Sequence, residues 1–188
     1  VVQANFLFPP LQVICIESDG SITPDSVPLK QVSNVYSFSG NITDYVINVK
    51  RDNIIIDGAG YTLQKTRPAY GSQNGIALTN LTNVTMRNLE IRGFTNGVFI
   101  SGSTNCNVSG NSFLNNGYGV VLADHATSNY ISGNNFISAG GISIIYSTNN
   151  VLRDNSMKGD GLHFSIACEN VESASDFVND VDASNTIN

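Results

Sequence analysis

Tryptophan is absent from this sequence, histidine and methionine occur twice each, and cysteine three times. Charge is scarce as well: Asp, Glu, Lys and Arg make up 13% of the 188 residues, about half the usual share. What charge there is leans acidic, with a formal net value of −6. The few Lys and Arg are scattered, so no basic patch exists to meet phosphates, and a nucleic-acid partner is excluded. Long apolar runs are missing too. The best candidate, "FLFPPLQVICI" at residues 6 to 16, is broken by Pro9 and Pro10. It falls short of the roughly 18 residues of a membrane span. No basic stretch precedes it, so it does not read as an intact signal peptide. A mature secreted chain would look like this, which places the protein outside the cell or at its surface.

Uncharged polar groups fill the gap. The chain holds 25 asparagines and many Ser, Thr and Gly, against 41% apolar residues, enough for a core. Their order is periodic. Glycines that precede apolar pairs recur at Gly75, Gly97, Gly119, Gly141 and Gly161, in steps of 22, 22, 22 and 20 residues. A second column holds Asn83, Asn105, Ser128, Asn149 and Asn170. Two apolar columns follow in phase, Met86–Val108–Ile131–Leu152 and Ile91–Phe113–Phe136–Met157. Self-similarity at a fixed short period marks a repeat architecture.

Each line contains patches such as "GVFIS", "NVS" and "NSFL", which alternate at period 2 and so read as half-buried strands. One line cannot bury its apolar face alone. Lines stacked in the same sense at the ~4.8 Å strand spacing can. The expected fold is therefore all-β, a parallel β-solenoid of about 22 residues and three short strands per coil, with the aliphatic columns inside. The Asn and Ser column belongs at turns, where Asn accepts left-handed backbone and its amide can bond the Asn one coil away. Gly is expected to supply positive φ at corners. Upstream, "DNIIIDGAGYTLQ" (52 to 64) keeps the phase with Asn53 and Ile56, and "VYSFSGNITDYVINVK" (35 to 50) supplies one more coil. The chain then divides into an apolar segment at 1–34, a cap or an inter-subunit strand, and a solenoid at 35–188 with a projecting loop at 65–74.

The segment "NIIIDGAGYTLQ" and the repeated lines like "NYISGNNF" resemble the right-handed parallel β-helix repeat proteins, the NosD-like and carbohydrate-binding/sugar-hydrolase repeat group. The wording "DGSITPDSVPL" and "DASNTIN" resembles cell-surface members common in archaea. The resemblance implies a right-handed helix. It does not choose an activity, because that group holds lyases, epimerases, binding modules and envelope proteins.

Candidate chemistry is thin. Asp57, Arg87, Gly110, Gly133 and Asp154 align in one column, which brings no two carboxylates together. Asp124 and His125 are adjacent in "LADHATSN", where the third line carries one extra residue, and are the weak candidates for acid–base work. His163 reads as a wall residue, and two lone His with two Met do not make the copper site that the NosD name suggests. Asp57 in "IDGAG" reads as a cap on a tight corner. No cofactor and no metal is expected. Four sequons, at Asn41, Asn80, Asn83 and Asn107, are candidate glycosylation acceptors. Cys106 and Cys168 lie three coils apart, about 14 Å, beyond the ~7 Å that a disulfide spans between Cα atoms. Cys15 reaches either only if the N-terminal segment folds back along the stack. The three are candidates for a disulfide, for a link between chains, or for buried thiols.

Two functions fit. One is a non-enzymatic structural subunit of a cell-surface assembly, an envelope layer, sheath or filament, which associates with its own copies through its ends or its apolar N-terminal strand. The other is a polysaccharide-binding module, less readily a lyase or epimerase. Against it, Tyr118, Tyr130 and Tyr146 fall in different columns and form no aromatic platform.

Overall fold

A computed structural model describes residues 11–67, 73–137, 140–159, 164–167 and 178–187. Among these residues the chain forms short strands and no helix, gathered into three sheets of eight, eight and seven strands. One coil gives one strand to each sheet. Asn96–Ser101 lies in the first sheet, Asn107–Ser109 in the second and Ser112–Leu114 in the third. The next coil lays Tyr118–Ala123, Tyr130–Ser132 and Asn135–Ile137 beside them, each pair parallel. The fold is a right-handed parallel β-helix.

Strand alternation sends the middle residue of each three-residue strand inward. In the first sheet Ile14, Ile47, Ile76, Val98, Val120 and Ile142 stack in register. In the second the ladder is Tyr36, Ile56, Met86, Val108, Ile131 and Leu152. In the third it is Ile42, Leu63, Ile91, Phe113, Phe136 and Met157. None of these side chains is more than 1% exposed. Burial of each is worth roughly 1.5–3 kcal/mol, which is how coils that are unstable singly hold one another.

The glycine column serves packing and not turning. Gly75, Gly97 and Gly119 lie within strands of the first sheet and do not take positive φ. A Cβ on Gly119 would come within 2.3 Å of the Phe136 ring, and one on Gly97 within 2.7 Å of the Phe113 ring. Those rings stack with centroids 4.9 Å apart. The glycines clear space for them. Left-handed backbone falls to the Asn and Ser column, where Asn53, Asn83, Asn105, Ser128 and Asn149 have φ between 54° and 58°, and to other glycines at corners, Gly93, Gly102, Gly110 and Gly133.

A second correction concerns Asp57. Backbone register aligns it with Arg87, Ser109, Ser132 and Arg153. Gly110, Gly133 and Asp154 sit one residue further on, at a left-handed corner shared with Asn88. Matching turn residues by type had shifted the column by one, whereas the hydrogen-bond ladder counts backbone partners.

The two ends differ. At the start, Gln12–Ile16 joins the first sheet parallel to Tyr45–Val49, and Ile22–Thr23 folds back antiparallel on it. Leu29–Val32 likewise closes the second sheet antiparallel to Val35–Phe38. Val27, Leu29 and Phe38 are buried there. Residues 1–10 of the expected N-terminal segment, and 68–72 of the expected loop, lie outside the described residues. Before that gap, Asp44 holds the Thr66 N–H (2.8 Å) and the Arg67 Nε (2.9 Å). At the far end the outermost strands are Phe164–Ala167, Asp180–Val181 and Thr186–Ile187, one in each sheet.

Candidate functional site

Three features could carry function: the acidic corner at Asp124, the outer walls, and the far end of the stack. The extra residue of the third line produces two successive left-handed residues, Asp124 (φ 52°) and His125 (φ 65°). Asp124 Oδ2 accepts a hydrogen bond from the Ser101 hydroxyl at 2.8 Å, and the His125 N–H donates to the Tyr146 carbonyl at 2.8 Å. The His side chain is exposed. Carboxylate and hydroxyl are thus engaged in holding the corner, and no third group completes an acid–base constellation among the described residues. His163 lies outside them.

The outer wall of the early coils carries ion pairs. Asp57 accepts the Ala59 N–H at 2.9 Å, as a corner cap does, and also pairs with Arg87 Nε at 2.8 Å. Burial alone would raise the Asp57 carboxyl. The Ala59 N–H, Arg87 and Asn88 outweigh it and hold the group below the usual carboxylate range. Asp44 is held low in the same way: burial raises it, and Thr66 and Arg67 outweigh that. Glu17 is lowered by its hydrogen bond from Lys50, 3.0 Å away. These carboxylates are tied to structure. Beside Lys50 an open cleft of about 490 Å³ is lined by Asn48, Thr79, Asn80 and Leu81.

The candidate modification residues spread over several corners. Asn41, Asn80 and Asn83 are exposed, while Asn107 is half-buried in its strand. The Asn83 Nδ2 donates to Asn53 Oδ1 at 2.9 Å, the amide-to-amide link expected on that column. Cys15 and Cys106 are free thiols, the first half-buried on the outer face and the second buried; Cys168 lies outside the described residues.

Sequence reasoning missed the larger amide ladders, which run inside. Asn111, whose place in its line suggests a turn, is 3% exposed. Its N–H and Nδ2 both donate to Asn134 Oδ1, at 3.0 and 3.1 Å. Asn134 repeats this toward Asn155, and Asn155 toward Asn185. A parallel ladder joins Asn129, Asn150 and Asn179. Each inner amide also donates to a carbonyl of the coil before, as Asn134 Nδ2 does to Val108 O at 2.8 Å. With two bonds accepted and two donated, the buried amide is fully satisfied. The recurrence of asparagines five residues apart, Asn129 with Asn134 and Asn150 with Asn155, was the signal that could have revealed it.

The far end is the feature with unmet potential. Ile166, Val181 and Ile187 continue the inward ladders of the three sheets in register with Ile144, Leu152 and Met157. Their equivalents one coil earlier are at most 1% exposed, yet these three are 53%, 41% and 58% exposed. On the rim, Arg153 pairs with both Asp180 and Asp182.

Stacked three-strand coils, an aliphatic interior and amide-bonded corners define a parallel β-helix repeat protein. Residues 17–184 match the family model described as periplasmic copper-binding protein (NosD), and the chain belongs to that family. The description places the family outside the cytoplasm. Comparison with curated proteins and with solved structures returned no match.

The copper of that description can be tested against the side chains. Copper takes imidazole, thiolate or thioether ligands. The Met86 and Met157 thioethers are sealed in the core at 0% exposure. Cys106 is buried at a corner, Cys15 lies on the outer face, and His125 is exposed at a different corner. Among the described residues no three His, Cys, Asp or Glu side chains converge. The described residues do not fit a copper centre.

Proposed function

We propose that this chain is a non-enzymatic structural β-helix, a subunit of an assembly at the cell surface that associates with copies of itself through an end of the stack. The observation that carries this reading is the exposure of Ile166, Val181 and Ile187, which hold ladder positions in the last described strand of each sheet. Unpaired strand edges with apolar positions between them are templates for further strands. Membership of a family described as periplasmic supports a location beyond the cytoplasm. Low charge and continuous amide ladders suit a stiff layer, sheath or filament. Sedimentation of the purified chain over a wide concentration range tests it, alongside electron microscopy of native material. Concentration-dependent association is expected; a protein that stays monomeric at high concentration with residues 1–20 intact refutes the reading.

A polysaccharide-binding role is the second reading. The open cleft beside Lys50, where Asn48, Thr79 and Asn80 stand among Val49, Ala77 and Leu81, favours it. The exposed rings do not add to it, because Tyr61, Tyr130 and Tyr146 stand at separate places on the coil. Incubation with uronic-acid polymers separates binding from cleavage, the latter read as new unsaturated ends.

A further inference from the structure

The four Asn-x-Ser/Thr sequons become unequal once the chain is folded. Asn107–Ser109 is itself a strand of the second sheet, and the Asn107 Oδ1 is sealed in the wall. Asn83 commits its Nδ2 to Asn53 Oδ1, and its Thr85 opens the next strand. Asn41 holds the Thr62 N–H at 3.0 Å through its Oδ1, while Thr43 lies in a strand and accepts the Gln64 Nε2 at 2.9 Å. The fourth sequon, Asn80 with Leu81 and Thr82, differs. None of its residues lies in a strand of the three sheets, and both Asn80 and Thr82 are exposed. Among the described residues the Asn80 side chain makes no hydrogen bond. A Cβ on Gly102 would come within 2.4 Å of its Oδ1, so that glycine leaves the amide its room.

Asn80 also stands on the cleft beside Lys50. Val49 pairs with Leu78 and Ile55 with Thr85, so five residues (50–54) turn one corner and six (79–84) turn the next. The cleft is lined from both corners, and it combines apolar Val49, Ala77 and Leu81 with polar Asn48 and Thr79. A concave site of mixed apolar and uncharged polar groups suits the C–H faces and hydroxyls of a sugar ring. The Lys50 ammonium is held by Glu17 at 3.0 Å, which makes the charged part of the rim a neutral pair. We infer that Asn80 is an N-glycosylation site and that the first sugar it carries lies in this cleft. The donor is a sugar on a lipid pyrophosphate, the reaction class that acts on sequons of exported chains. The Asn80 amide nitrogen attacks C1 of that sugar and the C1–N bond forms. The C1–O bond to the pyrophosphate breaks with its electron pair, and one amide proton leaves to a base. The inference needs no self-association. It gives the cleft a covalent occupant in place of the free polysaccharide of the second reading.

The test uses the full chain purified from the organism that makes it. Peptide mass spectrometry, with fragmentation to separate Asn80 from Asn83, is expected to find a glycan on Asn80 and none on Asn41, Asn83 or Asn107. In the same host Thr82→Ser is expected to keep the glycan and Thr82→Ala to lose it, each with native circular dichroism. Amine acylation then reads the cleft. Lys50 is expected to react several-fold more slowly in the glycosylated wild type than in Thr82→Ala, with the exposed Lys30 unchanged as the control. An Asn80 without glycan overturns the inference. Glycans on all four sequons do so too, because they show that the fold does not choose among them. Equal labelling of Lys50 with the glycan in place overturns the seat in the cleft and leaves the modification standing.

Discussion

Just before the second sheet, the corner position is Ile54 and Val84 in the early coils but Asn129, Asn150 and Asn179 in the later ones. Before the third sheet the same change runs from Leu89 to Asn111, Asn134, Asn155 and Asn185. One fold thus fills equivalent positions with two chemistries. In the early half the corner is held by apolar transfer, which is local and tolerant of gaps. In the later half each amide is satisfied only if its neighbours are amides too, so the coils depend on one another. Leu89 and Cys106 are the junctions. The Leu89 N–H donates to Asn111 Oδ1 at 3.1 Å, and the Cys106 N–H to Asn129 Oδ1 at 2.9 Å. At the second junction a thiol takes the place of the amide. The Val84 N–H points to the Cys106 sulfur, which in turn sits 3.6 Å from the Thr104 carbonyl.

The comparison breaks hardest at Asn134. Replacing it with Leu strips the acceptor from the Asn111 N–H and Nδ2 and takes a donor from Asn155 Oδ1 and from the Val108 carbonyl. Unsatisfied buried groups cost ~1–3 kcal/mol each, so Asn134→Leu is expected to lose about 4 kcal/mol in urea unfolding. Leu89→Ala, in the apolar stretch of the same type of corner, is expected to lose about 2–3 kcal/mol and no more. If Leu89→Ala proves the costlier, the amide ladder is not what holds the later coils.

A smaller effect follows from acid. Asp57 has a folded pKa below its unfolded value of about 3.9. Its contribution is therefore complete well above pH 4 and disappears as pH falls through the folded value. Asp57→Asn is expected to cost roughly 1–2 kcal/mol at pH 7 and clearly less at pH 3, where the carboxyl of the unfolded chain is already largely protonated. The amide ladders carry no titrating group, so Asn134→Leu should cost the same at both values. Unfolding midpoints of the two variants at pH 7 and 3 decide the matter; an Asp57→Asn deficit that is undiminished at pH 3 removes the ion pair from the account.

The smallest effect is at the junction thiol. Burial holds the Cys106 thiol above its ordinary value, against the Val84 N–H that lowers it. In a Cys168→Ser protein at pH 8, a thiol reagent is expected to modify Cys15 in the folded state and Cys106 only after unfolding. Cys106→Ala should cost about 1 kcal/mol. Rapid labelling of Cys106 would show that the junction between the two kinds of corner opens readily.

Much of this molecule was legible in the sequence. The columns Met86–Val108–Ile131–Leu152 and Ile91–Phe113–Phe136–Met157 coincide with the inward ladders. The Asn53, Asn83, Asn105, Ser128 and Asn149 column coincides with left-handed corners. Both follow from period alone, since apolar side chains must meet across coils and Asn tolerates positive φ. The roles of single residues beside those corners were not legible. Asn111 is as polar in sequence as Asn105, yet one points into a ladder and the other to solvent. Nor was the purpose of Gly97, because a glycine that makes room for the ring of Phe113 reads the same as one that bends a chain.

By itself, then, the sequence determined the repeat, the sheet count and the apolar interior, because these depend on spacing that any coil carries within it. Only the tertiary structure decided which amides link into buried ladders and why the glycines stand beside Phe113 and Phe136. Those outcomes depend on partners one coil away. Exposure of Ile166, Val181 and Ile187 is a property of the stack, since the same residue types one coil earlier are sealed in its core.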